Sequence, residues 1–185
     1  MNVESSEKEP AVVRTGVVLV MIVLAAVLRS TPHPWNLTPV GAMALFSGAM
    51  VKDRRLAFLF PLLALFAGDL FVGFHKLIPV VYAGFLLNVL IGRYLQDHRT
   101  VARIGGATFL AALQFFVITN FAVWALLGSY PLTTTGLVAC YATGLPLFWN
   151  TLAGDALYAA LLFGGLALAE RIFPALGRPT LGPAR

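Results

Sequence analysis

IGGATFLAALQFFVITNFAVWALL, residues 104–127, decides the class of this protein. The run carries no charged side chain, and its strongest polar groups are the amides Gln114 and Asn120. An α-helix rises about 1.5 Å per residue, so roughly 20 apolar residues cross the hydrocarbon layer of a bilayer. The run predicts a membrane-crossing helix.

Similar runs lie on both sides of it. Apolar stretches predict further helices over about Val12 to Leu28, Thr38 to Val51, Leu56 to Phe74, Pro79 to Leu95 and Thr151 to Ile172. The second is short, which suits a helix that is tilted or that begins behind a loop shielded by other helices. Between the fifth and sixth, Gly136 to Leu147 is apolar, too short to span comfortably and interrupted by Pro146. It reads as an interfacial or re-entrant helix, because proline lacks the N–H that a helix interior uses.

Composition agrees with this reading. Of 185 residues, 59% are hydrophobic and 11% charged, whereas soluble domains have about 45–50% apolar residues, glycine included, and about 25% charged. One compact core could not bury so much apolar side chain, so lipid must cover the rest. The reading is therefore an all-α membrane protein, a bundle of six transmembrane helices. Residues 1–11 form a disordered polar N-terminus, 12–172 a single transmembrane domain and 173–185 a flexible tail. Glu4, Glu7 and Glu9 precede the first run, which ends in Leu28-Arg29-Ser30. That is unlike a cleavable signal, so the run is expected to stay as the first helix.

The net charge of +5 does not point to nucleic acid, since the basic residues punctuate apolar runs instead of sharing one solvated face. They do orient the chain, because cytoplasmic connections carry the excess Lys and Arg. With six spans and both termini inside, Lys8, Arg14, Lys52, Arg54, Arg55, Arg93, Arg99, Arg103, Arg171, Arg178 and Arg185 face the cytoplasm, and only Arg29 and Lys76 face out. A seventh span would move the last three arginines outside. The expected location is the bacterial inner membrane, multi-pass, with lipid as the first partner.

Polar groups inside a bilayer are costly and mark places to search for function. Asp69, Asn120 and Asp155 fall toward the outer ends of their predicted helices, and the outer connections add His33, Trp35, Asn36, His75, Trp149 and Asn150. Phe116, Asn120 and Trp124 share one helix face, as do Thr151, Asp155 and Tyr158. Together they predict a polar, aromatic pocket opening outward, in which acids and amides meet polar groups of a solute and tryptophans pack on its body. The competing reading is structural: the stripes pack helices together, and Asp69 and Asp155 pair with Arg29 and Lys76. His33, His75 and Cys140 match no close-set metal-ligand spacing, and whether a metal binds stays open. With a single cysteine no intramolecular disulfide forms. No phosphate-binding loop, metalloprotease motif or nucleophile elbow is present. The reading is a non-enzyme with no catalytic residues and no cofactor.

Pro32-His-Pro-Trp-Asn-Leu-Thr-Pro-Val-Gly-Ala42, Gly68-Asp-Leu-Phe-Val-Gly-Phe-His75, Thr119-Asn120 and Trp149-Asn-Thr-Leu-Ala-Gly-Asp155 resemble a family of small bacterial membrane proteins of unknown function that carries a transport label. The resemblance covers about His33 to Glu170. The layout is also similar to the substrate-binding S components of energy-coupling-factor vitamin transporters, some of which bind cobalamin. That similarity implies uptake of a vitamin-like compound or metal-containing ligand, with an energy-coupling membrane subunit or other membrane protein as partner. The Ala-x-x-x-Ala docking face of those components has no copy on the first helix here; small pairs occur instead at Ala44/Gly48, Ala107/Ala111 and Ala156/Ala160. The alternative function is a structural or assembly subunit of a larger membrane complex.

Overall fold

The computed structural model describes residues 16–24, 27, 37–97 and 99–173. Among them six helices and no strand occur: α1 (residues 16–24), α2 (Val40–Met50), α3 (Arg54–Val72), α4 (Ile78–Tyr94), α5 (Val101–Leu126) and α6 (Thr134–Ile172). The tails expected at 1–11 and 173–185 lie outside the described residues, except for Phe173.

Local chemistry sets most helix starts. Asp53 caps α3, its Oδ1 accepting from Leu56 N–H at 3.0 Å. Thr100 caps α5 by accepting from Arg103 N–H at 3.3 Å, and Thr133 caps α6 by accepting from Gly136 N–H at 3.2 Å. Each satisfies one of the N–H groups that a first turn leaves without a partner. Proline stands in the first turn of α4, where no N–H is needed. Helix α3 stops at Gly73, whose φ of 97° is open to glycine and costly for other residues.

Two sequence expectations are corrected. The segment around Pro146 is no separate re-entrant helix: α6 runs unbroken through it for 39 residues. Proline deletes one hydrogen bond of a long ladder, while α5 packs along the same stretch and holds the backbone helical. As a result Asp155 stands near the midpoint of α6, not in its first turns. In addition, two helices among the described residues, α5 and α6, are long and apolar enough to cross a membrane, where six spans were expected. Helix α4 has 17 residues and α2 has 11, short of the roughly 20 a span requires.

Helix α2 is the centre of the molecule. Every one of its residues is buried, and α3, α4, α5 and α6 all pack on it. Its closest approach is to α4, where Gly48 lies against the Val89 carbonyl and Gly92 against the Leu45 carbonyl, so closely that a Cβ at either position would enter the facing backbone. Phe46 meets Phe163 of α6 edge to face at 5.1 Å. The outer faces are apolar too: Phe109, Leu110, Phe121, Leu157, Leu161 and Leu168 are each about half exposed or more.

Because α2 is short and enclosed, its end groups cannot reach bulk water and require partners from elsewhere. At its N-terminus the Asp155 carboxylate of α6 accepts from Ala42 N–H at 3.0 Å. At its C-terminus Gln96 Nε2 donates to the Gly48 and Val51 carbonyls at 3.0 and 3.3 Å, and Arg99 Nη1 lies 3.1 Å from Met50 Sδ. An acid at the positive end and a cation at the negative end complement the helix dipole.

Candidate functional site

Helices α5 and α6 run antiparallel, fastened at one end. Gly144 leaves just enough space for the Asn120 amide, Cys140 Sγ donates to the Asn120 carbonyl at 3.4 Å, and Tyr141 O–H donates to the Val117 carbonyl at 2.7 Å. Phe116 lies between Tyr141 and Phe148 at centroid distances of 5.5 and 5.1 Å. Toward the other end three cavities follow one another along α6.

The first cavity, about 120 Å³, is lined by Phe116, Thr119, Asn120, Leu147 and Thr151 among others. The second, about 100 Å³, lies between Thr38, Gly41, Phe85, Asn88, Phe115, Thr151 and Asp155. These two share Phe115 and Thr151. The third, about 770 Å³, opens between the first turns of α5 and the second half of α6. Ile104, Gly105, Ala156, Ala160 and Gly164 form its apolar wall, and Asp97, Arg99 and Glu170 gather at its end. Lys52, Arg54, Arg55 and Arg103 belong to the helix ends and connections on that side, which is therefore the basic end of the bundle. A volume of this size matches small-molecule sites, which run from roughly 300 to 1,000 Å³. The two smaller cavities have room for only a few waters at about 30 Å³ each.

Beside the second cavity lies a file of buried amides. Gln114 Nε2 of α5 donates to Asn88 Oδ1 of α4 at 2.6 Å, to the Gly84 carbonyl at 2.9 Å and to the Ala111 carbonyl at 3.2 Å. The Gln114 Oε1 atom is buried without a hydrogen bond among the described residues.

The residues singled out in the sequence divide as follows. His33, Trp35 and Asn36 lie outside the described residues, as does Arg29, the cation considered for pairing. Asp155 is 2% exposed and lines the second cavity; Asn120 lines the first and donates through Nδ2 to the Phe116 carbonyl at 2.9 Å. Asp69 lines none of the three: it is buried between α3 and α4, accepting from Tyr82 O–H at 2.8 Å. His75 is exposed and caps a turn, its Nδ1 accepting from Leu77 N–H at 3.3 Å. Trp124 donates to the Pro131 carbonyl at 2.9 Å, Trp149 is 62% exposed on the outer surface, and Asn150 is half-buried. Asp69, Asn120 and Asp155 therefore engage three different helix contacts, and no two of them line the same one of the three cavities described. No group of three His, Cys, Asp or Glu capable of holding a metal ion occurs among the described residues.

Sequence reasoning passed over Asn88, although an amide inside the apolar run Phe85-Leu-Leu-Asn-Val-Leu-Ile91 is a visible signal. It also placed the main pocket at the opposite end from the 770 Å³ cavity. Nothing in spacing alone shows where two helices part.

What fold and site define, among the described residues, is an all-helical protein with two helices long and apolar enough to cross a membrane, polar groups enclosed at its centre and a ligand-sized apolar chamber at its basic end. Comparison places it further: the chain belongs to a family of unknown function, DUF6580, which it matches over residues 10–176. Searches of curated proteins and of solved structures find no match.

Proposed function

We propose that the chain is a multi-pass protein of a bacterial inner membrane that carries a small amphipathic solute, vitamin-like in size, with its chamber here open toward the cytoplasmic side. The observation that carries this reading is the 770 Å³ cavity between α5 and α6. An apolar body would lie along Ile104, Ala156, Ala160 and Gly164, while Arg99, Asp97 and Glu170 would meet its polar group. The apolar exterior supports a lipid setting, since monomeric soluble proteins rarely expose such continuous apolar surface. The collection of Lys and Arg at the chamber end supports its cytoplasmic orientation. The two small cavities extend the file toward the opposite end, along the route a solute would follow when the helices rearrange.

The test is binding of a panel of vitamins and lipid-like amphiphiles to purified protein in lipid nanodiscs, paired with uptake by cells lacking the gene. Binding of at least one member, lost in Ala160→Trp, is the expected result. No binding across the panel together with undiminished uptake would contradict the reading.

One observation favours a second reading. Ala156, Ala160 and Gly164 stand at four-residue spacing on the chamber wall, a pattern that admits a neighbouring helix closely. In that case the chamber is a docking groove and the chain a subunit of a larger membrane complex. Affinity purification from native membranes separates the two, since a subunit brings down a stoichiometric partner.

A further inference from the structure

The small cavity at the middle of the bundle has a chemistry distinct from the chamber. Its acceptor is the Asp155 carboxylate, 2% exposed, whose single hydrogen bond among the described residues comes from Ala42 N–H to Oδ1. Its donor is the amide of Asn88, a residue 1% exposed that lines the cavity and whose Oδ1 accepts from Gln114 Nε2 at 2.6 Å. The hydroxyl of Thr151 donates to the Leu147 carbonyl at 2.9 Å and so turns its oxygen lone pairs toward other donors.

This combination selects its occupant. A bare cation would have the Asp155 carboxylate as its one anionic ligand, opposed by the amide hydrogens of Asn88 and the positive end of α2. An anion would face the Asp155 carboxylate. Water fits, since it accepts from Asn88 and donates to Asp155, and a polar cavity of about 100 Å³ has space for about three molecules at roughly 30 Å³ each. A carboxylate in contact with enclosed water has one further reaction open to it, which is exchange of a proton.

We propose that Asp155 is a proton-loading site at the centre of the bundle, reached through the two small cavities that share Phe115 and Thr151, and that its loading accompanies the carrier cycle. In the loading step a hydronium-borne proton forms an O–H bond at Asp155 Oδ2 and leaves a water molecule behind; unloading reverses it. Both forms are accommodated. The charged form has Ala42 N–H and the α2 dipole, and the neutral form avoids the cost of enclosing a charge. No second titratable group lines the cavity. Helix α2 has none along its length, α5 has only Arg103 in its first turn, α4 has Tyr82, Arg93 and Tyr94, and α6 has Cys140, Tyr141, Tyr158, Glu170 and Arg171. Of these, Tyr82 is engaged by Asp69.

The coupling half of the proposal rests on the carrier reading; the proton site does not. The experiment is infrared difference spectroscopy of the protein in nanodiscs, without solute, as pH is lowered. A protonated-carboxyl carbonyl band at the frequency of an enclosed, weakly hydrogen-bonded carboxyl, set apart from the band of the solvent-exposed acids, is expected in the wild type and in Asp69→Asn, with complete loss in Asp155→Asn. That variant keeps an oxygen to accept from Ala42 N–H and so retains the fold. Asn88→Leu, which leaves Asp155 in place, should move the midpoint of the band. Absence of the band in the wild type, its persistence in Asp155→Asn, or an unmoved midpoint in Asn88→Leu would each overturn the assignment. Failure of the solute panel alone leaves the proton site standing, whereas loss of the band leaves the carrier reading standing.

Discussion

The Asp155 carboxylate accepts a hydrogen bond from Ala42 N–H at 3.0 Å, so that a residue of the long helix α6 caps the short central helix α2 across 113 positions of sequence. Gly41 sits against the same carboxylate, and a Cβ there would enter it. One acid thereby fixes where α2 begins and how closely α6 approaches.

Removing that acceptor while keeping the volume should be costly. Asp155→Leu leaves the buried Ala42 N–H without a partner and should destabilise by about 1–3 kcal/mol, whereas Asp155→Asn should lose less. Gly41→Ala should destabilise by a similar amount, about 1–3 kcal/mol, through overpacking. Because both changes act on one contact, Gly41→Ala combined with Asp155→Ala should fall short of the sum by at least about 0.5 kcal/mol. Thermal unfolding of the wild type, Gly41→Ala, Asp155→Ala and the double variant in one detergent measures this cycle.

The α2–α4 crossing makes a second prediction. Alanine at Gly48 or Gly92 places a Cβ in the facing backbone, which cannot yield as a side chain can. Each should lower stability by about 1–3 kcal/mol or abolish folding. Gly106 has open space where its Cβ would go, so Gly106→Ala should be neutral or stabilise by up to about 1 kcal/mol through helix propensity. Melting temperatures of the three single variants decide it.

Asp69 and Tyr82 tie α3 to α4 away from every cavity described. Tyr82→Phe should therefore cost about 0.5–1.5 kcal/mol of stability and leave solute binding in nanodiscs unchanged. A loss of binding with the fold intact would move the site toward the end of the bundle opposite the chamber.

Orientation can be read with thiol chemistry. Cys140 is the sole cysteine and is buried, so Cys140→Ser provides a background for single cysteines. With the basic end cytoplasmic, Lys52→Cys should react with a membrane-impermeant maleimide only after cells are opened, and Ser129→Cys in intact spheroplasts. The reverse pattern would invert the proposed topology.

How far the residues announced this arrangement differs by element. The start of α3 was read two residues late, at Leu56, because the capping role of Asp53 was passed over, whereas that of α4 was legible from Pro79. The start of α6 was not. Pro146 reads as a break, yet packing along α5 carries the helix through it, and this one change moves Asp155 from a helix end to the bundle centre. Asp155 itself was visible as an acid in an apolar run, but its partner is a backbone N–H, which has no side-chain signature. The chamber was hidden for a related reason: Ala156, Ala160 and Gly164 on its wall are small, and small residues look the same whether they admit a helix, a ligand or nothing.

The most direct measurement is native mass spectrometry of the protein released from its own membranes, wild type beside Ala160→Trp, a change that fills the chamber, whose lining does not include Asp155. The carrier account predicts a discrete small-molecule adduct on the wild type that is absent from the variant. Bare protein in both samples, or the same adduct on both, would contradict it.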